Sequence, residues 1–256
     1  MIQTIIMCGG RGSRLNEQTE NTPKPMILIG KVPILIHIMR IYYSCGFNEF
    51  ILPVGYKGEV IKQYFCNYQM MTNDLKIDYK NGTNIKYIND CTEKWNVKII
   101  DTGLETNKKD RLKQLKDYVS DENFFLTYAD GVSDIDINKL LQFHLSHGKI
   151  ATVTGIKISS QFGKLNINDK DRVIKFAEKD DESGLISGGF FVFNKKIFNY
   201  LNHGDDFESG VLEYLAKVGE LMVHKNHGFW HSMDTYRDMI ALNEMWESGK
   251  APWKMS

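Results

Sequence analysis

The stretch IIMCGGRGSRLNEQTENTPKPM, residues 5–26, decides how this chain is to be read. Its first residues continue a short apolar run, Ile2 to Met7, that stops at glycine, the mark of a buried β-strand. Gly9, Gly10 and Gly12 then permit positive φ and close backbone approach, so successive N–H groups can converge on an anion as a nest. Arg14 and Lys24 add full positive charges, one a planar fork and the other a point charge. Pro23 and Pro25 restrict the backbone on either side of Lys24. A flexible surface loop is the plain alternative. The dinucleotide fingerprint and the P-loop do not fit: "GGRGSR" lacks the third glycine of the first, and no GxxxxGK[ST] follows for the second.

Around this loop the first half alternates strands and helices. A helix is predicted through PILIHIMRIYYSC with Pro33 in its first turn, then a strand in EFILPVGY and a helix through GEVIKQYFCNY. Strands near 84–88 and 97–100, a helix near 110–119 and the strand NFFLTYAD continue the alternation. That order predicts an α/β fold with an open, mostly parallel, Rossmann-like sheet and helices on both faces. In the second half, KIATVTGIKI, GKLNI, RVIKFAEK and SGGFFVFN follow closely, so antiparallel strands should join the sheet. Helices are expected near 195–201, 208–217 and 236–247. The chain reads as a single domain, 1–256, with a nucleotide-binding half at 1–150 and an acceptor-binding, metal-completing half at 151–256.

Composition narrows the function. In 256 residues, Lys plus Arg and Asp plus Glu number 32 each, so no global field draws the chain to nucleic acid or an anionic membrane. Hydrophobic residues at 42% and charged residues at 25% are ordinary for a globular protein with a sizeable core. Cys8, Cys45, Cys66 and Cys91 form no CxxC pair and are expected to be reduced thiols. No signal peptide or membrane-length apolar run is visible, so the expected location is the cytoplasm.

Asp130 ends a hydrophobic strand and is followed by Gly131, which would aim its carboxylate into the crevice beyond the strand ends. Asp234 precedes the last helix, where a helix N-cap explains it equally well. With a phosphate loop the two could hold Mg²⁺, which takes few carboxylates and completes its shell with phosphate and water. His224, His227 and His231, and the pair His144 and His147, have spacings a metal could use, but no H-E-x-x-H motif or cysteine partner accompanies them.

A strand followed by G-G-x-G-x-R-L and P-K-P resembles the nucleotidyltransferases that make nucleotide-sugars from a nucleoside triphosphate and a sugar 1-phosphate. HIMRIY, GYKGEVIKQYF, WNVKIIDTG, RLKQLKDYV, FLTYADGVSDIDI, FGKLNI, GGFFVFN, GFWHSMDTYRD and WESGKAPWK extend the similarity nearly end to end, towards the glucose-1-phosphate cytidylyltransferase branch. The resemblance implies CTP as donor, Mg²⁺ on Asp130 and Asp234, a homo-oligomer, and a base pocket from Gly55, Tyr56, Thr102 and Gly103. It places Arg111 near the triphosphate, although Lys109 and Asp110 stand where relatives have glycines; a solvated arginine opening a helix is the other reading.

On the acceptor side the resemblance carries Glu178, Lys179, Ser187 and Gly188 to the sugar phosphate, and His231 could touch the acceptor. There the pattern departs: the proline after Lys179 is missing, and Ser187 replaces an asparagine. A pocket that pairs hydroxyls discriminates because unpaired buried polar groups cost about 1–3 kcal/mol each. The expectation is therefore a non-glucose acceptor. L-glutamine phosphate is the candidate, giving CDP-L-glutamine, as in capsule-modifying relatives. The alternative is drift within an enzyme that makes CDP-glucose, and a remote one is a non-catalytic nucleotide-binding module.

Overall fold

The strand Gln3–Met7 is buried at all five positions and lies near the middle of an eight-stranded sheet. It pairs in parallel with Glu49–Val54 on one side and Asn123–Tyr128 on the other. Asn96–Asp101 extends the parallel half beyond Glu49–Val54. On the far side, Phe191–Asn194 runs antiparallel to Asn123–Tyr128, and Ala151–Lys157 runs antiparallel to Phe191–Asn194. The computed structural model describes residues 1–12, 22–80, 82–88, 93–157, 164–167, 173–177 and 184–254.

Alternation along the strands sends side chains to two separate cores. Ile6, Phe50, Leu52, Phe125 and Val192 face one side, where they meet the helix Ile34–Ser44, buried at eight positions. Ile5, Met7, Phe124, Leu126, Phe191 and Phe193 face the other, against Leu112, Leu115, Ile197 and Leu215. Each such fully buried aliphatic or aromatic side chain contributes roughly 1.5–3 kcal/mol, so the central strands are fixed in register by both faces at once. Among the described residues, no helix is long and apolar enough to cross a membrane.

Several elements differ from the sequence reading. Asn84–Ile88 is not part of the main sheet; it forms a hairpin with Asp74–Asp78. The helix expected through GEVIKQYFCNY ends at Cys66 and a second turn of helix covers Tyr68–Thr72. The helix expected near 110–119 occupies Lys108–Gln114, because the Asn107 side chain accepts from the Asp110 amide and sets its start. The strand in SGGFFVFN is broken by Gly189 and Phe190, both at positive φ, into Leu185–Ser187 and Phe191–Asn194. Leu221–Asn226 adds a strand parallel to Ala151–Lys157 that the periodicity did not suggest.

The chain closes with the helix Tyr236–Glu247, started by a reciprocal capping box between Thr235 and Asp238. It packs on the small hairpin Leu28–Ile29 and Val32–Pro33, where Asn243 Oδ1 accepts from the Gly30 amide at 2.8 Å. Trp253 is fully buried beyond it, its indole against Phe229 and its Nε1 directed at His37 Nδ1.

Candidate active site

The neighbours of Gln3–Met7 leave towards opposite edges of the sheet, and a crevice opens beyond the carboxyl ends of such strands. A cavity of about 510 Å³ lies there, bounded by the Gly9–Gly10–Gly12 loop, Lys24, Asp130 and Asp234, and on another wall by Asn107, Lys108, Tyr128 and Asp206.

Lys24 opens a single 3₁₀ turn, Lys24–Met26, after Pro23 in an extended conformation. This short, proline-bounded turn points the ammonium between two carboxylates. Lys24 Nζ donates to Asp130 Oδ2 at 2.7 Å and to Asp234 Oδ1 at 2.9 Å. Burial disfavours the ammonium, but the two carboxylates outweigh it and hold the Lys24 pKa above the ordinary lysine value.

The carboxylates meet because Gly131–Ser133 pairs antiparallel with Trp230–Ser232, in a register that sets Ser232 opposite Gly131. The Met233 amide then donates to Asp130 O at 2.7 Å, and Ser232 Oγ donates to Asp234 Oδ2 at 2.9 Å. Asp234 is not the helix N-cap; Thr235 takes that role. Two carboxylates converging on one cation are a donor set suited to Mg²⁺ completed by phosphate oxygens and water. Among the described residues, no group of three or more His, Cys, Asp or Glu could hold a metal ion by itself.

Arg111 is 4% exposed, and its guanidinium binds oxygens from three strand-end loops. It donates to Gly9 O at 3.0 Å, Val54 O at 3.0 Å, Thr102 Oγ1 at 2.6 Å and Leu104 O at 3.2 Å. A Cβ on Gly9 would fall 2.3 Å from the Arg111 Cζ, and one on Gly55 would fall 2.6 Å from its terminal nitrogens. These glycines are therefore required by the guanidinium as well as by any anion. Arg111 borders the cavity, but the donors it directs at these oxygens make it a tie between loops.

The Thr102 hydroxyl is buried and donates to Val54 O at 2.8 Å while accepting from Arg111. Gly103 sits at φ +87° with its amide on Asp101 Oδ1. The Tyr56 amide donates to Gly9 O at 3.3 Å, and the guanidinium of Arg11 lies 5.8 Å from the Tyr56 ring centre. The stretches expected to enclose a base are thus gathered beside the glycine loop, with the Thr102 side chain engaged in holding them.

On the acceptor side, Ser187 is exposed and Gly188 buried. Gly188 O accepts from Trp230 Nε1 at 2.7 Å. His231 alternates to the opposite face from Trp230 and Ser232; its Nδ1 donates to Ser232 O, its ring stacks with Phe229, and it does not line the cavity. His231, expected to touch the acceptor, thus lies outside the residues that bound this cavity. Arg14, Glu178 and Lys179 lie outside the described residues.

Sequence reasoning missed Tyr128, Lys108, Glu208 and Trp230. Tyr128 could have been found from its phase, since it lies two residues before Asp130 at the end of a buried strand. Lys108 and Glu208 meet only through tertiary packing across 100 residues.

The model of the family described as "Nucleotidyl transferase" matches residues 3–248. The chain is 43% identical over 256 residues to the glucose-1-phosphate cytidylyltransferase of Salmonella typhimurium, covering 99% of each chain. It is 34% identical over 200 residues to the D-glycero-alpha-D-manno-heptose 1-phosphate guanylyltransferase of Campylobacter jejuni, covering 77% of this chain and 78% of that protein. In fold it is similar to HddC of Yersinia pseudotuberculosis, with a TM-score of 0.66 at 20% identity, over 96% of this chain and 100% of that one.

Proposed function

The chain belongs to the nucleotidyl transferase family, and from that premise we propose that it transfers a cytidylyl group from CTP to a sugar 1-phosphate, releasing pyrophosphate. Glucose 1-phosphate is the first acceptor to consider, with CDP-glucose as product. The observation that supports this reading best is the meeting of Lys24, Asp130 and Asp234 at the glycine loop, an arrangement suited to phosphate and a divalent cation. The near full-length similarity to a glucose-1-phosphate cytidylyltransferase favours cytosine and glucose over the alternatives.

In this reading an acceptor phosphate oxygen attacks the α-phosphorus of CTP. The new P–O bond forms in line with the breaking bond to the β-phosphate, and pyrophosphate departs. The acceptor phosphate is already ionised near neutral pH, so no side chain needs to remove a proton. Catalysis then rests on positioning and charge neutralisation. Gly9, Gly10 and Gly12 supply close backbone approach, and Lys24 supplies the cation nearest the reacting phosphates. Mg²⁺ held by Asp130 and Asp234 would stabilise charge on the phosphate oxygens. Arg111 keeps the Gly9, Val54 and Thr102 segments in one arrangement.

L-Glutamine phosphate is the second acceptor, kept because of one residue: Ser187, where the family resemblance leads one to expect asparagine. The test is pyrophosphate release from CTP and Mg²⁺ with each acceptor. Turnover of glucose 1-phosphate supports the first reading. Turnover of L-glutamine phosphate alone replaces it, and CTP binding without pyrophosphate release in the presence of a broad panel of phosphorylated acceptors rejects transfer altogether.

A further inference from the structure

Lys108 pairs with Glu208 across the edge of the cavity. Its ammonium also lies 4.9 Å from the centre of the Tyr128 ring. The Tyr128 hydroxyl donates to Glu208 Oε1 at 2.6 Å, so one carboxylate oxygen receives both the phenol and the ammonium. Among the described residues, Glu208 Oε2 is buried without a hydrogen-bond partner. Lys108 and Tyr128 line the cavity, whereas Glu208 does not and lies behind them.

Among the described residues, the other cations at the cavity are differently engaged. Lys24 is matched by two carboxylates, and Arg111 is directed at loop oxygens. Asp206 adds a further negative group to the same wall as Lys108. Two phosphate-bearing substrates can approach one another only if their charges are offset, and an ammonium has three donors, of which Glu208 needs one. Tyr128 also connects this wall to the acceptor segment: a Cβ on Gly189 would lie 3.4 Å from its ring.

We propose that Lys108 is a further substrate-contacting residue, binding the phosphate of the acceptor, with Glu208 and Tyr128 as the residues that position it. This rests on the transferase reading above for the identity of the substrates. Burial, and then the adjacent Glu208 carboxylate, push the Tyr128 phenol well above its ordinary pKa. It therefore stays protonated and donates to Glu208 throughout the working pH range. The pair Lys108–Glu208 is partly exposed, with side chains 46% and 38% accessible, so it contributes little to stability as an ion pair. Its consequence is geometric: it fixes where the ammonium stands.

The test measures KM for acceptor and for CTP separately in the wild type, Lys108→Gln and Lys108→Arg. Lys108→Gln should raise the acceptor KM by about tenfold, the size of one charge-assisted hydrogen bond, while the CTP KM stays within about twofold. Lys108→Arg should recover most of the loss. Glu208→Gln should raise the acceptor KM less, and add nothing in the Lys108→Gln background.

Inorganic phosphate titrated into the nucleotide-free proteins gives a readout independent of turnover. Its Kd should rise by about tenfold in Lys108→Gln. Equal phosphate affinity in wild type and variant, or equal changes in both KM values, overturns the assignment. Weakened phosphate binding in Lys108→Gln with no pyrophosphate release by the wild type would reject the transferase reading and leave the phosphate site standing.

Discussion

Lys24 and Asp130 are 106 positions apart in the chain and 2.7 Å apart in the fold, joined by a hydrogen bond between ammonium and carboxylate. With Asp234 on its other side, the lysine holds the place between two carboxylates that a divalent cation would occupy. On the proposed reading, a divalent cation would compete with the lysine for the same oxygens. Lys24→Ala should lower kcat by about 10²–10³, as expected for loss of a preorganised transition-state contact. In the absence of nucleotide, Mg²⁺ should raise the melting temperature of Lys24→Ala more than that of the wild type. Equal Mg²⁺ responses would show that the lysine does not guard the carboxylates.

Gly9 makes room for Arg111. The added methyl of Gly9→Ala would fall on the guanidinium carbon, so the loop or the arginine must move. A displacement near 1 Å in such a site costs about 10²-fold in rate. Gly9→Ala should therefore cut kcat/KM for CTP by that order while circular dichroism remains native. Normal CTP kinetics in the variant would refute the tie between loops.

Removing the guanidinium has a different signature. Arg111→Ala leaves the Leu104 carbonyl short of a donor and Gly9 O with the Tyr56 amide, at roughly 1–3 kcal/mol for a group left unsatisfied. Urea unfolding should show a loss of about this size, together with weakened CTP binding. Arg111→Lys should restore little, because a point charge cannot span oxygens from three loops. Full recovery by lysine would count against a geometric role.

Trp230 holds the acceptor segment by its bond to Gly188 O. Trp230→Phe keeps the ring and deletes the donor, a net contribution of about 0.5–1.5 kcal/mol. The expected result is a three- to tenfold rise in acceptor KM, by the relation of about 1.4 kcal/mol per tenfold. A selective rise in CTP KM instead would place Trp230 on the nucleotide side.

Two buried histidines set an acid limit to stability. Burial pulls His37 and His144 down from 6.5 to about 4, with the neighbouring His147 adding to the effect at His144. In the unfolded chain each takes up a proton near pH 6.5, whereas in the fold each stays neutral until about pH 4. Unfolding thus binds protons in this window, and stability falls as pH drops from about 6.5 to 4, then levels off. At 1.36 kcal/mol per pKa unit, each histidine removes about 3 kcal/mol over the full window. His144→Gln should show a shallower loss of denaturation midpoint between pH 7 and 4.5; an identical slope would rule out His144 as a source.

The central sheet was legible because Ile2 to Met7, EFILPV and NFFLTY are short apolar runs bounded by turn residues, which admit few structures other than buried parallel strands. Asp130 and the glycines could be expected at the crevice because each follows such a run, and Lys24 because two prolines hold it; the structure brings them to one cavity. Asp234 was ambiguous because a cap and a ligand need the same residue type; the cap proves to be Thr235, and the pairing of Gly131–Ser133 with Trp230–Ser232 brings Asp234 to Lys24 together with Asp130. His231 could not be placed from sequence because no local signal marks where Trp230–Ser232 begins, and strand alternation decides which side each of its residues faces. Gly55 lies against Arg111, a neighbour that local sequence could not supply. Lys108, Glu208 and Tyr128 form a group that only folding creates.

Trp253, fully buried against Phe229 and His37, closes the core around the helix Ile34–Ser44. During synthesis, the early strands and that helix emerge while their final covering, and Asp234 with it, is still to come. A nascent chain ending before Asp234 would carry the glycine loop and Lys24 with one carboxylate instead of two, over an open apolar face. Translation order thus brings the second carboxylate out late, close to the tryptophan that covers the core.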